Sequence, residues 1–361
     1  MAYILSIGRS LPKYELKQEK VKELVQYIFP LSQREKNRLL PVFDHAMIEQ
    51  RQFVVDAEWF TETHGLQERN DIFIKEAVDH ALIAMDESIN NKEYLTQPVS
   101  YDQIDMILLI SSTGIATPTI DARLMNQRDF REDVKRVPLF GLGCAGGVSG
   151  LARAYEWLRS FPTKNVMVVN VELCGLTFQK GDAKKSNFIG AALFGDGITA
   201  TLVCGEKSEL ARFARHSVPR MTASDSRTMK DSISVMGWDV TDGGFEVVFN
   251  KSIPNLVKTF WKGHVDDFVD SLALNAHDFP FLVAHPGGKK VLEAYEEVLQ
   301  LPSEVFLHSY ETLKHHGNMS SVTVCYVLEK WMATHPEAGT KSLMAALGPG
   351  FSSELVSLEW V

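Results

Sequence analysis

Short, wholly apolar runs alternate along the chain with longer stretches in which apolar residues recur every three to four positions. AYILSIG reads as a first strand, and a charged region from about 16 to 64 reads as helical. DIFIKEAVDHALIAMDESI predicts a helix, IDMILLISST and KRVPLF strands, VSGLARAYEWLRS a helix and NVMVVNVEL a strand. LFGDGITATLVCG looks hairpin-like, turning at Asp-Gly just after Phe194, and a polar stretch follows around 205–232. A second series holds a helix near 253–275, the strand FPFLVAH, the helix GKKVLEAYEEVL and a helix ending near His315. The helix MSSVTVCYVLEKW and two strands in ALGPGFSSELVSLEW complete it. This is an α/β pattern with strands buried on both faces. No low-complexity linker divides the series, so two α/β halves packed together, 1–210 and 211–361, are expected.

A hint of duplication runs through them. GLGCAGGVSGLARAYEWL and HHGNMSSVTVCYVLEKW each place a polar functional residue where small residues open a helix. Close packing of one helix against the other explains the small side chains.

Composition narrows the function classes. With 45% hydrophobic and 23% charged residues the 361-residue chain is an ordinary globular protein. A net charge of −9 excludes nucleic acid as a partner, since such binding needs a surplus of Lys and Arg. Cys144, Cys174, Cys204 and Cys325 lie far apart without a CxxC pair, so no zinc site or disulfide framework is expected and a reducing cytoplasm fits. The N-terminus lacks a basic region before its apolar run, and no apolar run reaches the roughly 18 residues that span a bilayer. No stable membrane insertion is expected.

The segment GLGCAGGVSG sets a single cysteine among glycines. At the start of a helix, Cys144 would have its thiolate favoured by free N–H groups and the helix dipole. A free cysteine is equally a small buried hydrophobe, and Gly141, Gly143 and Gly146 match a dinucleotide-binding fingerprint, with Glu172 as a loosely spaced acidic partner. A nucleophile, unlike a cofactor loop, needs a base. His285 closes the strand FPFLVAH, at the carboxyl end where α/β proteins bind ligands. Asn318, in HGNMSS, is a polar orienter or a helix N-cap. His308, His315 and His316 lack a Cys or carboxylate partner set, so no metal is expected. Cys, His and Asn together form the nucleophile, base and orienter of an acyl-transfer site.

GLGCAGG, FGDG, AHPGGKKVL, HGNMSS and GPGFSSE occur in this order, and with them the chain resembles the type III polyketide synthases, the chalcone synthase family, from ILSIGRSLP to its last strand. Five ordered motifs displace the dinucleotide reading. The resemblance implies a thiolase-like fold, two pseudo-symmetric halves in a five-layered α-β-α-β-α arrangement, a homodimer, and iterative condensation on CoA thioesters without metal or flavin. Carried over, Cys144 is the acyl-holding nucleophile, paired as thiolate with protonated His285. His285 and Asn318 act on malonyl-CoA, and Phe194 is the gatekeeper between tunnel and cavity. Thr177, Cys174 and Ser320 line the cavity. Arg38, of REKNRLL with Arg34 and Lys36, takes a basic CoA-contacting position, and Lys289 and Lys290, with Gly287 and Gly288 in the turn after His285, are placed by their charge to meet the CoA phosphates at the tunnel mouth.

Departures from the plant pattern cluster at the cavity. Leu347 replaces the first phenylalanine of the plant GFGPG motif, Val247 another phenylalanine and Trp238 a glycine. Thr117 falls where plant enzymes insert a methionine from the neighbouring subunit. Pro41 and His45 stand where plant members carry further basic residues. Together with patterns similar to those of bacterial members, these departures imply an aliphatic acyl-CoA starter and short polyketides closing to alkyl α-pyrones. The alternatives are a ketoacyl synthase III-like enzyme making one condensation on a carrier protein, an NAD-dependent oxidoreductase using GLGCAGG, and a non-catalytic acyl-CoA-binding scaffold.

Overall fold

Every residue of MILLIS, at 106–111, and of NVMVVNVEL, at 165–173, is buried, as strands must be when helices cover both faces. The computed structural model describes residues 1–182, 184–250 and 252–361. Its strands are β1 (Ala2–Ser10), β2 (Tyr14–Lys17), β3 (Gln50–Phe53), β4 (Met106–Ser111), β5 (Lys135–Phe140), β6 (Asn165–Leu173), β7 (Asp196–Gly205), β8 (Pro219–Thr228), β9 (Met236–Thr241), β10 (Gly244–Phe249), β11 (Phe281–Ala284), β12 (Lys341–Gly348) and β13 (Ser352–Trp360). Its helices are α1 (Gln18–Ile28), α2 (Gln33–Leu39), α3 (Pro41–His45), α4 (Leu66–Asn90), α5 (Ile120–Met125), α6 (Gly146–Ser160), α7 (Lys185–Leu193), α8 (Ile253–Leu256), α9 (Lys262–Ser271), α10 (Lys289–Leu299), α11 (Leu307–His316) and α12 (Thr323–Met332).

Nine strands form one sheet in the order β11-β12-β13-β8-β1-β7-β6-β4-β5. Its two sides repeat the same directions. β1, β7, β6 and β4 pair antiparallel, antiparallel and parallel, and β8, β13, β12 and β11 do the same. The duplication hinted at in the sequence is therefore built into the sheet, and two β1–β8 pairs, Ala2 with Met221 and Tyr3 with Arg220, join the halves.

The halves fold over a shared middle layer. α6 contacts β4, β6 and β7 of one side and β8, β12 and β13 of the other, while α12 contacts β1, β7 and β11. α4 covers the outer face of β1, β6 and β7. On the other outer face, Phe268 of α9 and Leu292 and Tyr295 of α10 join Leu282, Leu343 and Leu355 in one core. The result is the expected α-β-α-β-α layering, with the starts of α6 and α12 at its centre.

Three local expectations fail. The 16–64 region is not all helical, because β2 and β3 pair across it from Tyr14–Phe53 to Lys17–Gln50. Asp196-Gly197 is not a hairpin turn. Asp196 opens β7 with its carboxylate buried, accepting the N–H groups of Val54 at 2.9 Å and Gly175 at 2.6 Å. The polar stretch after 205 supplies β8, a strand of the main sheet, whose outer part is half exposed and so lacks an apolar signature. A hairpin of β9 and β10 follows it.

Candidate active site

Cys144 lies in a single 3-10 turn, Gly143–Ala145, that leads directly into α6. Gly143 takes φ +48°, open to glycine, and gives its N–H to Ser112 Oγ at 2.9 Å. The small residues after the cysteine let α6 close on the turn before α12. A Cβ on Gly147 would stand 2.2 Å from the Ser321 carbonyl oxygen. That approach brings the two helix starts together, and the Cys144 thiol donates to Asn318 Oδ1 at 3.7 Å, with Asn318 Nδ2 3.8 Å from the sulfur.

Asn318 is not the helix N-cap, a position taken by Met319, but turns the chain just before it. Its Oδ1 accepts the Ser320 N–H at 2.8 Å, and Ser320, at φ +51°, is buried against it. Its backbone is pinned beside the end of α7, the N–H to Leu193 O at 2.8 Å and the carbonyl to Gly195 N at 3.1 Å. Its Nδ2 donates to Gly287 O at 3.3 Å, which ties it to the turn after His285. His285 N–H pairs with Ala345 O at 2.8 Å, while both ring nitrogens are buried with no hydrogen-bond partner among the described residues.

Burial dominates the electrostatics. It pushes the Cys144 thiol up to about 11, against hydrogen bonds from Asn318 and Ser320 that favour the thiolate. It pushes His285 down to about 3. Lost hydration thus opposes the thiolate that the helix start favours and opposes protonation of His285, and a proton moved from the thiol to the imidazole gives the expected thiolate–imidazolium pair.

The remaining residues sort by place. Cys174, Thr177, Phe194 and Val247 line one apolar cleft. The Phe194 ring stacks on Phe249, with centroids 5.6 Å apart, and tilts against Trp238 at 5.7 Å. Leu347 is instead buried in the core beneath β11 and β12. Thr117 is exposed on the loop between β4 and α5, away from the cleft of its own chain. Gly288 precedes α10, which starts at Lys289. Lys290 is exposed, and Lys289 pairs with Glu293 at 3.5 Å. Arg38 is exposed in the last turn of α2.

Sequence reasoning missed two buried charges. Glu172, considered only as a cofactor ligand, accepts the Ser321 hydroxyl at 2.7 Å and the Ser112 N–H at 3.0 Å, bridging the supports of both helix starts. Burial raises it to about 7. A carboxylate inside the apolar run NVMVVNVEL was the available signal. Arg51 is also buried, donating to Ala191 O and Phe194 O at 2.7 Å each, and burial lowers it to about 9 with Asp196 opposing. Nothing in QRQF announced it.

Comparison with known proteins places this geometry. Residues 1–207 match the N-terminal domain of the chalcone and stilbene synthases, and residues 221–361 their C-terminal domain. The chain is 45% identical over 361 residues, 100% of its length and 99% of the relative's, to a putative chalcone synthase of Bacillus subtilis. It is 38% identical over 261 residues, 71% of the chain and 67% of the relative, to a 1,3,6,8-tetrahydroxynaphthalene synthase of Streptomyces peucetius. The solved tetrahydroxynaphthalene synthase of Streptomyces coelicolor shares the fold at a TM-score of 0.90, with 23% identity and 99% of each chain covered. The chain therefore belongs to the chalcone and stilbene synthase family, the type III polyketide synthases, and is a condensing enzyme of the acyltransferase type.

Proposed function

We propose that this enzyme condenses malonyl-CoA repeatedly onto an aliphatic acyl-CoA starter held on Cys144 and closes the product to alkyl α-pyrones. The observation that carries the reading is the meeting of the Cys144 thiol with the Asn318 amide, beside the turn of a buried, neutral histidine.

The chemistry follows from those states. As acyl-CoA enters, the Cys144 thiol passes its proton to neutral His285, and the sulfur attacks the acyl carbonyl. CoA leaves as the thiol, taking the proton from His285, which is neutral again. Malonyl-CoA then loses CO₂, and its electron pair becomes an enolate whose oxygen accepts hydrogen bonds from the His285 N–H and Asn318 Nδ2. A donor of this kind is worth about 3 kcal/mol to the reaction. The enolate carbon attacks the Cys144 thioester, a C–C bond replaces the C–S bond, and the released thiolate attacks the CoA thioester of the lengthened chain for another round, CoA leaving as the thiol with a proton taken from water. Attack of a terminal enol oxygen on the thioester carbonyl closes the lactone and frees the thiol. Every proton and electron pair is accounted for without a metal or flavin.

Placement of the partners extends the proposal. Arg38, Lys289 and Lys290, with the N-terminus of α10, meet the CoA phosphates, and Gly287 and Gly288 let the chain turn there. Ser320 and Thr177 shape the cavity. A homodimer is supported by the unpartnered edge strand β5, by Phe140 left 59% exposed on it, and by the buried Asp121 carboxylate beside it, whose oxygens accept no hydrogen bond among the described residues. Four free cysteines support a reducing cytoplasm.

The test is product mass after incubation with a series of acyl-CoAs and malonyl-CoA. Triketide and tetraketide pyrones from fatty acyl-CoAs support the reading. Products of one condensation that require a carrier protein contradict it in favour of a ketoacyl synthase, and aromatic products from malonyl-CoA alone contradict the aliphatic starter.

A further inference from the structure

The turn at 349–351 joins β12 to β13 beyond their last pair, Gly348 with Ser352, so its backbone groups have no partner across that hairpin. The segment leaving β8 serves them instead. The Ser232 hydroxyl accepts the Phe351 N–H and lies within hydrogen-bond reach of Gly350 O and Met229 O. The Met229 N–H donates to Phe351 O at 2.8 Å. Ser232 is 1% exposed, so water does not compete for these bonds.

This turn presses on the nucleophile. A Cβ added to Gly348 would stand 2.6 Å from Leu142 O and 2.5 Å from Ala145 Cβ, and one on Gly143 would stand 2.7 Å from Pro349 Cδ. The turn therefore packs on the residues that flank Cys144 on both sides, with no slack to absorb a shift. Moving 349–351 moves the cysteine.

From Ser232 the chain runs on to the wall of the cleft. The Ser232 carbonyl accepts the Val235 N–H at 3.0 Å, and Val235 O accepts the Asn250 N–H at 2.8 Å, which closes the base of the β9–β10 hairpin. In that hairpin Trp238 pairs with Val247 and Met236 with Phe249. The rings of Trp238 and Phe249 both pack on Phe194. Two strands alone make a marginal sheet, so the hairpin depends on what holds its base and flanks.

We propose that Ser232 is a positioning residue for the condensation, tying the turn that seats Cys144 to the hairpin that walls the cleft at Phe194. It acts through these two elements and not on the reacting atoms. This rests on the reading of Cys144 as the acyl-holding nucleophile. Without the hydroxyl, the Phe351 N–H and Gly350 O are buried and unpaired, and the turn moves to find other partners. A misplacement of about 1 Å at a reacting group can cost about a hundredfold in rate.

The experiment compares the wild type with Ser232→Ala and with Ser232→Cys, which keeps nearly the same volume but bonds weakly. It measures kcat and KM for decanoyl-CoA with malonyl-CoA. The rate at which iodoacetamide alkylates Cys144, followed by peptide mass, reads the seating of the thiol without turnover, and thermal unfolding checks that each variant is folded at the assay temperature. Ser232→Ala should lower kcat about tenfold or more while KM stays within about threefold of wild type. Alkylation of Cys144 should quicken about threefold or more, because the loosened turn admits water to the thiol. Ser232→Cys should fall between, and it is judged by the same criteria if Ser232→Ala does not fold. A folded Ser232→Ala with wild-type kcat and alkylation rate, or with its loss confined to KM, overturns the proposal and leaves the synthase reading standing. Absence of wild-type turnover with every acyl-CoA overturns the synthase reading, and the proposal is then judged by alkylation alone: faster labelling in Ser232→Ala upholds it, and an unchanged or slower rate overturns it.

Discussion

Arg51 Nη1 donates to the Phe194 carbonyl oxygen at 2.7 Å from a side chain with 1% of its surface exposed. A full charge is therefore buried to hold the backbone of one phenylalanine. Loss of the guanidinium would leave Ala191 O, Phe194 O and Gln18 Oε1 buried without their donor, which together costs about 3–5 kcal/mol. Arg51→Met should lower the unfolding free energy by about that much in urea titrations. A loss below about 1 kcal/mol would show that the charge is dispensable to the fold.

Asn318 supplies a hydrogen bond where negative charge develops. Asn318→Ala should reduce malonyl-CoA decarboxylation by about 10²–10³-fold, the usual effect of one lost donor of this kind. Radiolabelled CO₂ release in single turnovers measures it. A reduction under tenfold would assign the enolate to other donors.

Glu172 ties stability to pH. Its carboxyl, ordinarily near 4.5, is raised to about 7 by burial, so between these values the folded chain keeps a proton that the unfolded chain has lost. Stability from this group is complete below about pH 4.5 and is lost as pH rises through about 7. In Glu172→Gln that dependence is gone. The difference in Tm between wild type and variant, followed from pH 5 to 8, should shift against the wild type as pH rises, and a constant difference would place the carboxyl outside that range.

Gly147 sets how closely α6 approaches the Asn318 turn. Gly147→Ala drives a methyl into the Ser321 carbonyl at 2.2 Å. Overpacking of this sort costs about 1–3 kcal/mol, and here it also pushes Asn318 from the cysteine. Thermal unfolding should fall and activity with it. Wild-type Tm and turnover in Gly147→Ala would show that the contact is not tight in solution.

The central site could be read from the sequence because each of its residues sits where an element changes. Cys144 and Asn318 lie at helix starts among small residues, and His285 follows an apolar strand, so periodicity marks the positions and the five ordered motifs assign them. Glu172 and Arg51 escaped, since a buried charge is defined by partners far along the chain, such as Ser321 and Phe194, and local pattern carries no trace of them. β8 was missed for a related reason. Half its side chains meet solvent, and only pairing with β13 makes it part of the sheet. The helix start at Cys144 is visible in the sequence, while the loss of water that opposes its ionisation is not.

The claim that everything else depends on is that Cys144 carries the acyl chain. Decanoyl-CoA added alone, followed by intact-mass and peptide analysis, tests it directly. The account predicts one decanoyl group on the peptide containing Cys144, none in Cys144→Ala, and its disappearance into polyketide on adding malonyl-CoA. Acylation of another residue, or polyketide formation by Cys144→Ala at the wild-type rate, would contradict it.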